Sequence, residues 1–288
     1  MMSIVFVFIF LLSFFITPLL IKLSLAFNVV DDCNNKEADL KIHKKPIPIL
    51  GGMAVLLSFI LGMLFFIKIN VLQMSVILVF CILISTLSFL DDRKQIHFTW
   101  RLLLQLIAGI FLIFVDIKIF GIFTIFYVVG VINSFNMIDG MDGLCSGVAI
   151  ISCVGFLFLG LQNNNMMLII LAGGLGSALL GFLPYNFNPA KIFLGDNGST
   201  IIGFLLGVMA IIASNFTGFL IPLLILGIPL IDMGCAILRR LKARKSIFLG
   251  DRGHIYDVLL QRNLSQRKVF TIICLLQASL VFLAVRIL

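Results

Sequence analysis

Asn133-Ser134-Phe135-Asn136-Met137-Ile138-Asp139-Gly140-Met141-Asp142-Gly143-Leu144-Cys145-Ser146-Gly147 lies between two apolar runs, residues 119–133 before it and 143–161 after it. A bilayer core demands about 20 apolar residues per helix, so this stretch falls where a membrane meets water. Two Asn and two Asp supply hard oxygen atoms, and the Gly residues permit a tight backbone and close approach of a ligand. The likeness to an EF-hand loop is superficial, because the terminal bidentate Glu and its spacing are absent.

The same arrangement recurs along the chain. Asp91-Asp92, Asp139 and Asp142, Asp196 and Asp251 each lie at one end of an apolar segment. Charge at membrane depth is expensive, so carboxylates collected at successive segment ends point to a site assembled there.

Composition agrees. Hydrophobic residues make up 61% and charged residues 12%, with mean hydropathy +1.20, which excludes an ordinary soluble domain. The expected fold is an all-α integral membrane protein, a single polytopic domain over residues 1–288 with about ten transmembrane helices. The spans are placed at 3–26, 51–69, 72–90, 101–116, 119–133, 143–161, 166–183, 199–214, 217–234 and 269–287. The fifth is short for a crossing, and an error there would invert every later loop. The first carries no cation before its apolar run and reaches Lys22 near its far end, which reads as a retained span with its N-terminus outside.

A net charge of +8 in a soluble chain could suggest nucleic acid; here it follows loop position. Of 21 Lys and Arg, only Lys68, Lys118 and Arg286 fall on the proposed outer side, as the positive-inside rule requires. The same topology puts every acid except Asp116 at or near the inner face and leaves only short outer connections, so a receptor role and a nucleic-acid partner are both disfavoured. The six Cys show no CxxC spacing and read as buried apolar residues, without disulfides or a zinc site.

Four further inner segments could carry chemistry. Lys41 to Gly52, with Lys44 and Lys45, could hold a phosphate or an anionic lipid head group, or simply set topology; Pro46, Pro48 and Gly51-Gly52 suggest a fixed turn into the second span. Asp91-Asp92 places two repelling carboxylates together, which raises one pKa unless a cation is near. Phe187 to Ser199 contains Asn188, Lys191 and Asp196 ahead of a helix start, where backbone amides favour anions and an Asp could equally act as a cap. In the loop from Arg239 to Lys268, His254 could bind a diphosphate or orient a carboxylate, and Arg244, Lys245 and Arg252 add anion-binding capacity.

Taken in order, Asp-Asp ending a span, Asn-x-x-Asn-x-x-Asp-Gly-x-Asp-Gly-Leu, Phe-Asn-Pro-x-Lys-x-Phe-x-Gly-Asp-x-Gly-Ser and a late Asp-x-x-His resemble the polyprenyl-phosphate N-acetylhexosaminyl-1-phosphate transferases, the MraY/WecA family, over residues 41–270. The resemblance implies transfer of a sugar-1-phosphate from a UDP-N-acetylhexosamine to a polyprenyl phosphate such as undecaprenyl phosphate, releasing UMP. It also implies a bacterial plasma-membrane enzyme with its active site on the cytoplasmic face, dependent on Mg²⁺ (or Mn²⁺) and initiating a surface polysaccharide. In that frame Asp91 or Asp92 deprotonates or positions the lipid phosphate, and Asp196 with Asn136 holds the metal. Asp139 and Asp142 organise the nucleotide end and His254 the diphosphate, with Lys44, Lys45, Asn133, Asn188, Lys191 and Arg252 as further substrate contacts. Two departures stand out. His254-Ile255-Tyr256 replaces a His-x-His or longer His run, which looks more like the O-antigen or capsule branch than the phospho-MurNAc-pentapeptide transferase. Ile49 stands where a basic residue is often found. An ion-coupled transporter is the rival class, and it would place acids near the bilayer midplane. The oligomeric state stays open, a homodimer included.

Overall fold

The computed structural model describes residues 2–31, 46–94, 96–119, 121–246 and 252–287. Twelve helices account for most of them: α1 (Met2–Ala26), α2 (Gly51–Met63), α3 (Val71–Lys94), α4 (Phe98–Phe114), α5 (Phe123–Ile138), α6 (Leu144–Gln162), α7 (Met166–Asn186), α8 (Gly195–Thr217), α9 (Leu220–Ile225), α10 (Gly227–Lys242), α11 (Ile255–Gln261) and α12 (Gln266–Ile287). A 3-10 segment, Leu64–Ile69, extends α2. Two short strands, β1 (Val30–Asp31) and β2 (Ile47–Pro48), pair antiparallel with Val30 opposite Pro48.

Seven of the described helices are long and apolar enough to cross a membrane: α1, α2 with its extension, α3, α6, α7, α8 and α12. The protein is therefore a multi-pass, all-α membrane protein. The ten expected spans are reached only by counting α4 and α5, shorter than the roughly 20 residues of a full crossing, and by joining α9 to α10.

Two expected spans are corrected by local chemistry. The fifth begins at Phe123 and runs to Ile138, not 119–133. The Thr124 hydroxyl donates to the Ile119 carbonyl at 2.9 Å and accepts from the Ile119 amide at 2.7 Å, and Gly121 has φ +60°, so a turn at Gly121 and Ile122 precedes the helix. The ninth, expected at 217–234, divides at Leu226. Pro229 brings no N–H to the first turn of α10, and the buried Gln277 of α12 serves the backbone at the break. Its Nε2 donates to the Ile225 carbonyl and its Oε1 accepts from the Ile228 amide. The second half, α10, then carries Arg239, Arg240 and Lys242 in its last turn.

At the centre stands α8, with nearly every side chain from Asn197 to Ile211 buried. Lipid tails are as apolar as Leu, so membrane helices associate through close packing, for which small residues are suited. A Cβ on Gly203 would lie 2.6 Å from the Cα of Ile132 in α5, and one on Gly198 would lie 2.8 Å from the Cα of Gly52 in α2. On the outside of the bundle, Ile4, Phe15, Phe126, Leu275 and Phe282 are exposed, as a lipid solvent permits.

The residues entering α8 are held by three backbone hydrogen bonds to residues 48–52. The Gly51 and Gly52 amides donate to the Phe193 and Leu194 carbonyls at 3.0 and 2.9 Å, and the Phe193 amide donates to the Pro48 carbonyl at 2.8 Å. The Pro and Gly-Gly turn foreseen before the second span is thus a clasp on the strand entering α8. Because Gly203 meets backbone atoms of α5 that no rotamer change can move, Gly203→Ala is expected to destabilise the protein by about 1–3 kcal/mol, measured by thermal unfolding in detergent.

Candidate active site

Asp196 occupies the first turn of α8, where unpaired backbone amides and the helix dipole favour a negative charge. Four other groups surround it. Arg101, from the first turn of α4, places one guanidinium nitrogen on both Asp91 Oδ2, at 2.6 Å, and Asp196 Oδ2. Asn136 Nδ2 donates to Asp196 Oδ1 at 2.9 Å and to Ser199 Oγ at 3.0 Å. The Asp196 amide donates to Asp92 Oδ1 at 3.4 Å. Thr200 Oγ1 closes the first turn by donating to the Asp196 carbonyl at 2.6 Å and lies 3.0 Å from Ser88 Oγ of α3.

The adjacent acids of α3 therefore have different work. Asp91 is paired with Arg101, whereas Asp92 caps α8 through one oxygen and leaves Oδ2 buried without a hydrogen-bond partner. Asn197 beside it is fully buried, with both amide atoms unpartnered. Gly195, at φ +69°, brings the backbone close to Asp92 Oδ2; a Cβ there would lie 3.1 Å from that oxygen and 3.0 Å from the Ile49 carbonyl.

A second network shapes the strand entering α8. Asp142 Oδ2 accepts from Asn188 Nδ2 at 2.8 Å and from the Ala190 amide at 3.0 Å. Arg267 Nε donates to the Asn188 carbonyl at 3.2 Å. Ser146 Oγ donates to Asn186 Oδ1 at 2.8 Å, and Asn186 Nδ2 donates to the Ile192 carbonyl at 3.0 Å. A third group joins α10 to α11, where His254 meets Asp232 at 2.7 Å.

These positions sort the residues singled out in the sequence. Asp91, Asp92, Asn136 and Asp196 come together at one end of the bundle, and Asp139 is near enough for Asp196 and Asp92 to act on its carboxyl. Asp142 and Asn188 bind each other, so both shape the loop ahead of α8. Asn133 also serves its surroundings, donating to Gln105 Oε1 at 2.9 Å and to the Val129 carbonyl at 2.7 Å. Asn136 turns its amide nitrogen to Asp196, so it orients that carboxylate. Lys191 and Arg252 are exposed. Lys44, Lys45 and Asp251 lie outside the described residues. Arg101 and Asp232 were not singled out: Arg101 counted only as a loop cation and Asp232 only as an acid inside a span. The signal for Arg101 was its place, ten residues after Asp91 at the start of the next apolar run.

The donor set suits a hard divalent cation. Among the described residues no three Asp, Glu, His or Cys side chains converge as a closed metal cluster. Mg²⁺ does not need one, since it keeps several waters and takes one or two protein carboxylates beside substrate phosphates. Asp196, half exposed at a helix start, and the unpartnered Oδ2 of Asp92 fit that requirement.

Residues 74–214 match the sequence profile of glycosyl transferase family 4. A probable undecaprenyl-phosphate N-acetylglucosaminyl 1-phosphate transferase of Bacillus subtilis is 30% identical over 282 residues, covering 91% of this chain and 78% of the relative. An undecaprenyl-phosphate alpha-N-acetylglucosaminyl 1-phosphate transferase of Thermotoga maritima is 28% identical, covering 94% of this chain and 86% of its own. A decaprenyl-phosphate N-acetylglucosaminephosphotransferase of Mycobacterium tuberculosis is 33% identical over 165 residues, 48% of this chain and 40% of that protein.

Burial holds the Asp139 carboxyl well above its ordinary value of 3.8, and the negative charges of Asp196 and Asp92 push it further the same way. Above pH 3.8 the unfolded chain gives up this proton while the native protein keeps it. Stability therefore falls as pH rises through the window up to the native value, and the cost remains above it. Asp139→Asn, neutral in both states, is expected to raise the melting temperature of the ligand-free protein at neutral pH by about 2–4 °C, the scale of ~1 kcal/mol. The gain should vanish below about pH 4, which thermal scans across pH will check.

Proposed function

The chain belongs to glycosyl transferase family 4, and we propose that it transfers N-acetylhexosamine-1-phosphate from a UDP-sugar to undecaprenyl phosphate, releasing UMP and initiating a cell-surface polysaccharide. The observation that carries this reading is the cluster of Asp91, Asp92 and Asp196 around Arg101 at the start of α8. Phosphoryl transfer requires chiefly positioning and charge stabilisation, and these groups offer both at the end of a lipid-exposed bundle. The relatives' names support N-acetylglucosamine as the sugar and polyprenyl phosphate as the acceptor. They also weigh against the phospho-MurNAc-pentapeptide reaction. Acids gathered at helix ends weigh against an ion-coupled transporter, which would need them near the midplane.

In the transfer, an oxygen of the lipid phosphate bonds to the β-phosphorus of the UDP-sugar, and the bond from that phosphorus to the oxygen of UMP breaks. Arg101 lies between two carboxylates and offers its remaining N–H groups to phosphate oxygens, for which the guanidinium fork is suited. Asp92 Oδ2, buried and unpartnered, is the atom we assign to the proton or the orientation of the lipid phosphate. Asp196 would hold Mg²⁺, with its rotamer fixed by Asn136, which is itself held by Ser199. The metal would neutralise charge on the diphosphate as UMP leaves. His254 would serve the diphosphate. The segregation of Lys and Arg by loop supports a cytoplasmic position for this end of the bundle, where nucleotide sugars are made, with the N-terminus outside.

Purified protein given undecaprenyl phosphate, Mg²⁺ and a panel of UDP-amino sugars is expected to release UMP with one donor, and EDTA should stop it. Asp196→Asn and Asp92→Asn should each lower the rate by about 10²–10³-fold, the scale of losing one preorganised electrostatic partner, while the protein still inserts. Full activity in both variants would sink the site assignment.

A further inference from the structure

Asp232 is a buried carboxylate on α10, held by hydrogen-bond partners of its own that do not belong to the cluster around Asp196. Burying a carboxylate costs several kcal/mol unless hydrogen bonds compensate, so its partners matter. Oδ1 accepts the Ile255 amide at 2.8 Å, one of the otherwise unpaired donors at the start of α11. Oδ2 lies 2.7 Å from Nδ1 of His254, itself buried. An ionised carboxylate can only accept, so Nδ1 carries the proton and donates. One side chain thus sets both the entry of the chain into α11 and the in-plane direction of the imidazole.

The ring face is fixed as well. Tyr256 lies parallel to His254, with an interplanar angle of 6° and centroids 5.7 Å apart. Its hydroxyl rests on Gly140 so closely that a Cβ there would overlap it. Gly140 separates Asp139 from Met141 and Asp142 in the polar turn after α5, so the imidazole is keyed to that turn through one aromatic ring. The carboxylate reaches it because the α9–α10 break, served by Gln277, begins α10 five residues before Asp232.

We propose that Asp232 is the positioning residue for His254: it holds the imidazole with Nδ1 protonated, so that His254 meets substrate phosphate only through Nε2. This rests on the transferase reading above. A carboxylate that fixes the tautomer and orientation of a functional histidine also sustains its positive charge when the second nitrogen is protonated to donate to an anion. A mere cap for α11 would need only the bond to Ile255.

A double-mutant cycle separates the two roles. UMP release is measured for the full chain, Asp232→Asn, His254→Ala and the double variant, each verified as folded by gel filtration and thermal unfolding. Asp232→Asn is expected to lower kcat/KM by about 10- to 100-fold, as loss of an orienting carboxylate does. In the His254→Ala background the same change should cost less than about twofold. If Asp232→Asn is not recovered folded, Asp232→Glu, which keeps the charge and moves it by one methylene, enters the same cycle with the same expectation. Equal losses in both backgrounds would overturn the proposal and leave a structural cap, as would full activity of His254→Ala. A wild-type protein that released no UMP with any donor would instead overturn the transferase reading, and this proposal with it.

Discussion

A carboxylate at the end of an apolar helix must be neutralised locally or it will cost the fold, and the start of α8 does this for Asp196 twice over. The helix dipole and unpaired amides act from one side, and the Arg101 guanidinium acts from the other, with Asp91 sharing the same nitrogen. An ion pair at an exposed surface is worth little; these side chains are partly buried, so the pairing is less screened. Removing either partner would leave an uncompensated charge beside Asp92. Around that pairing the other elements have little freedom: α3 and α4 must bring their ends together, α5 must deliver Asn136, and α2 must lie close enough to clasp the strand entering α8.

That closeness is a matter of small residues as much as polar ones. Gly52 meets Gly198, and Gly203 meets the backbone of α5 one helical stretch below Asn136. Here packing and chemistry are one problem. If α5 moved outward by the width of a methyl group, Asn136 would lose its grip on Asp196 and Ser199. The loop network of Asp142, Asn186 and Asn188 works to the same end from the other side, by fixing the path of residues 187–194 before the helix begins.

Much of this was legible in the chain. Apolar runs ended by Asp, with cations segregated by loop, identified a polytopic helical bundle with a site at one end. Asn136 and Asp196 were drawn from their motifs into the same place. What could not be read was pairing across loops. Arg101 and Asp91 belong to different helices, and nothing local distinguishes Arg101 from a topology-setting cation. Asp232 looked like an acid stranded within a span, because hydropathy does not reveal that the helix breaks at Leu226 and that His254 returns to meet it. Asn133 and Asp142 show the same limit from the other side: their motif suggested ligand contacts and gave no sign of the hydrogen bonds they make to Gln105, Asn188 and nearby backbone. The start of α5 was missed because a single hydroxyl, Thr124, decides it.

The electrostatics also constrain how substrates enter. Asp91 and Asp196 against Arg101 leave an excess of negative charge even with the Asp139 carboxyl protonated, as burial favours. Both proposed substrates are phosphate anions, which such a site repels unless positive charge arrives with them. Arg101 cannot meet that need alone, because its guanidinium already lies between two carboxylates. On the proposed reading a divalent cation would be a condition of binding as well as of chemistry, entering with the diphosphate that it would help to neutralise. With a cation sharing Asp196, Arg101 would have more freedom to turn toward a phosphate oxygen. The residue that neutralises Asp196 in the free protein would then be the one released to meet substrate, and the like charges crowded at the start of α8 would have a function that a well-neutralised site could not perform.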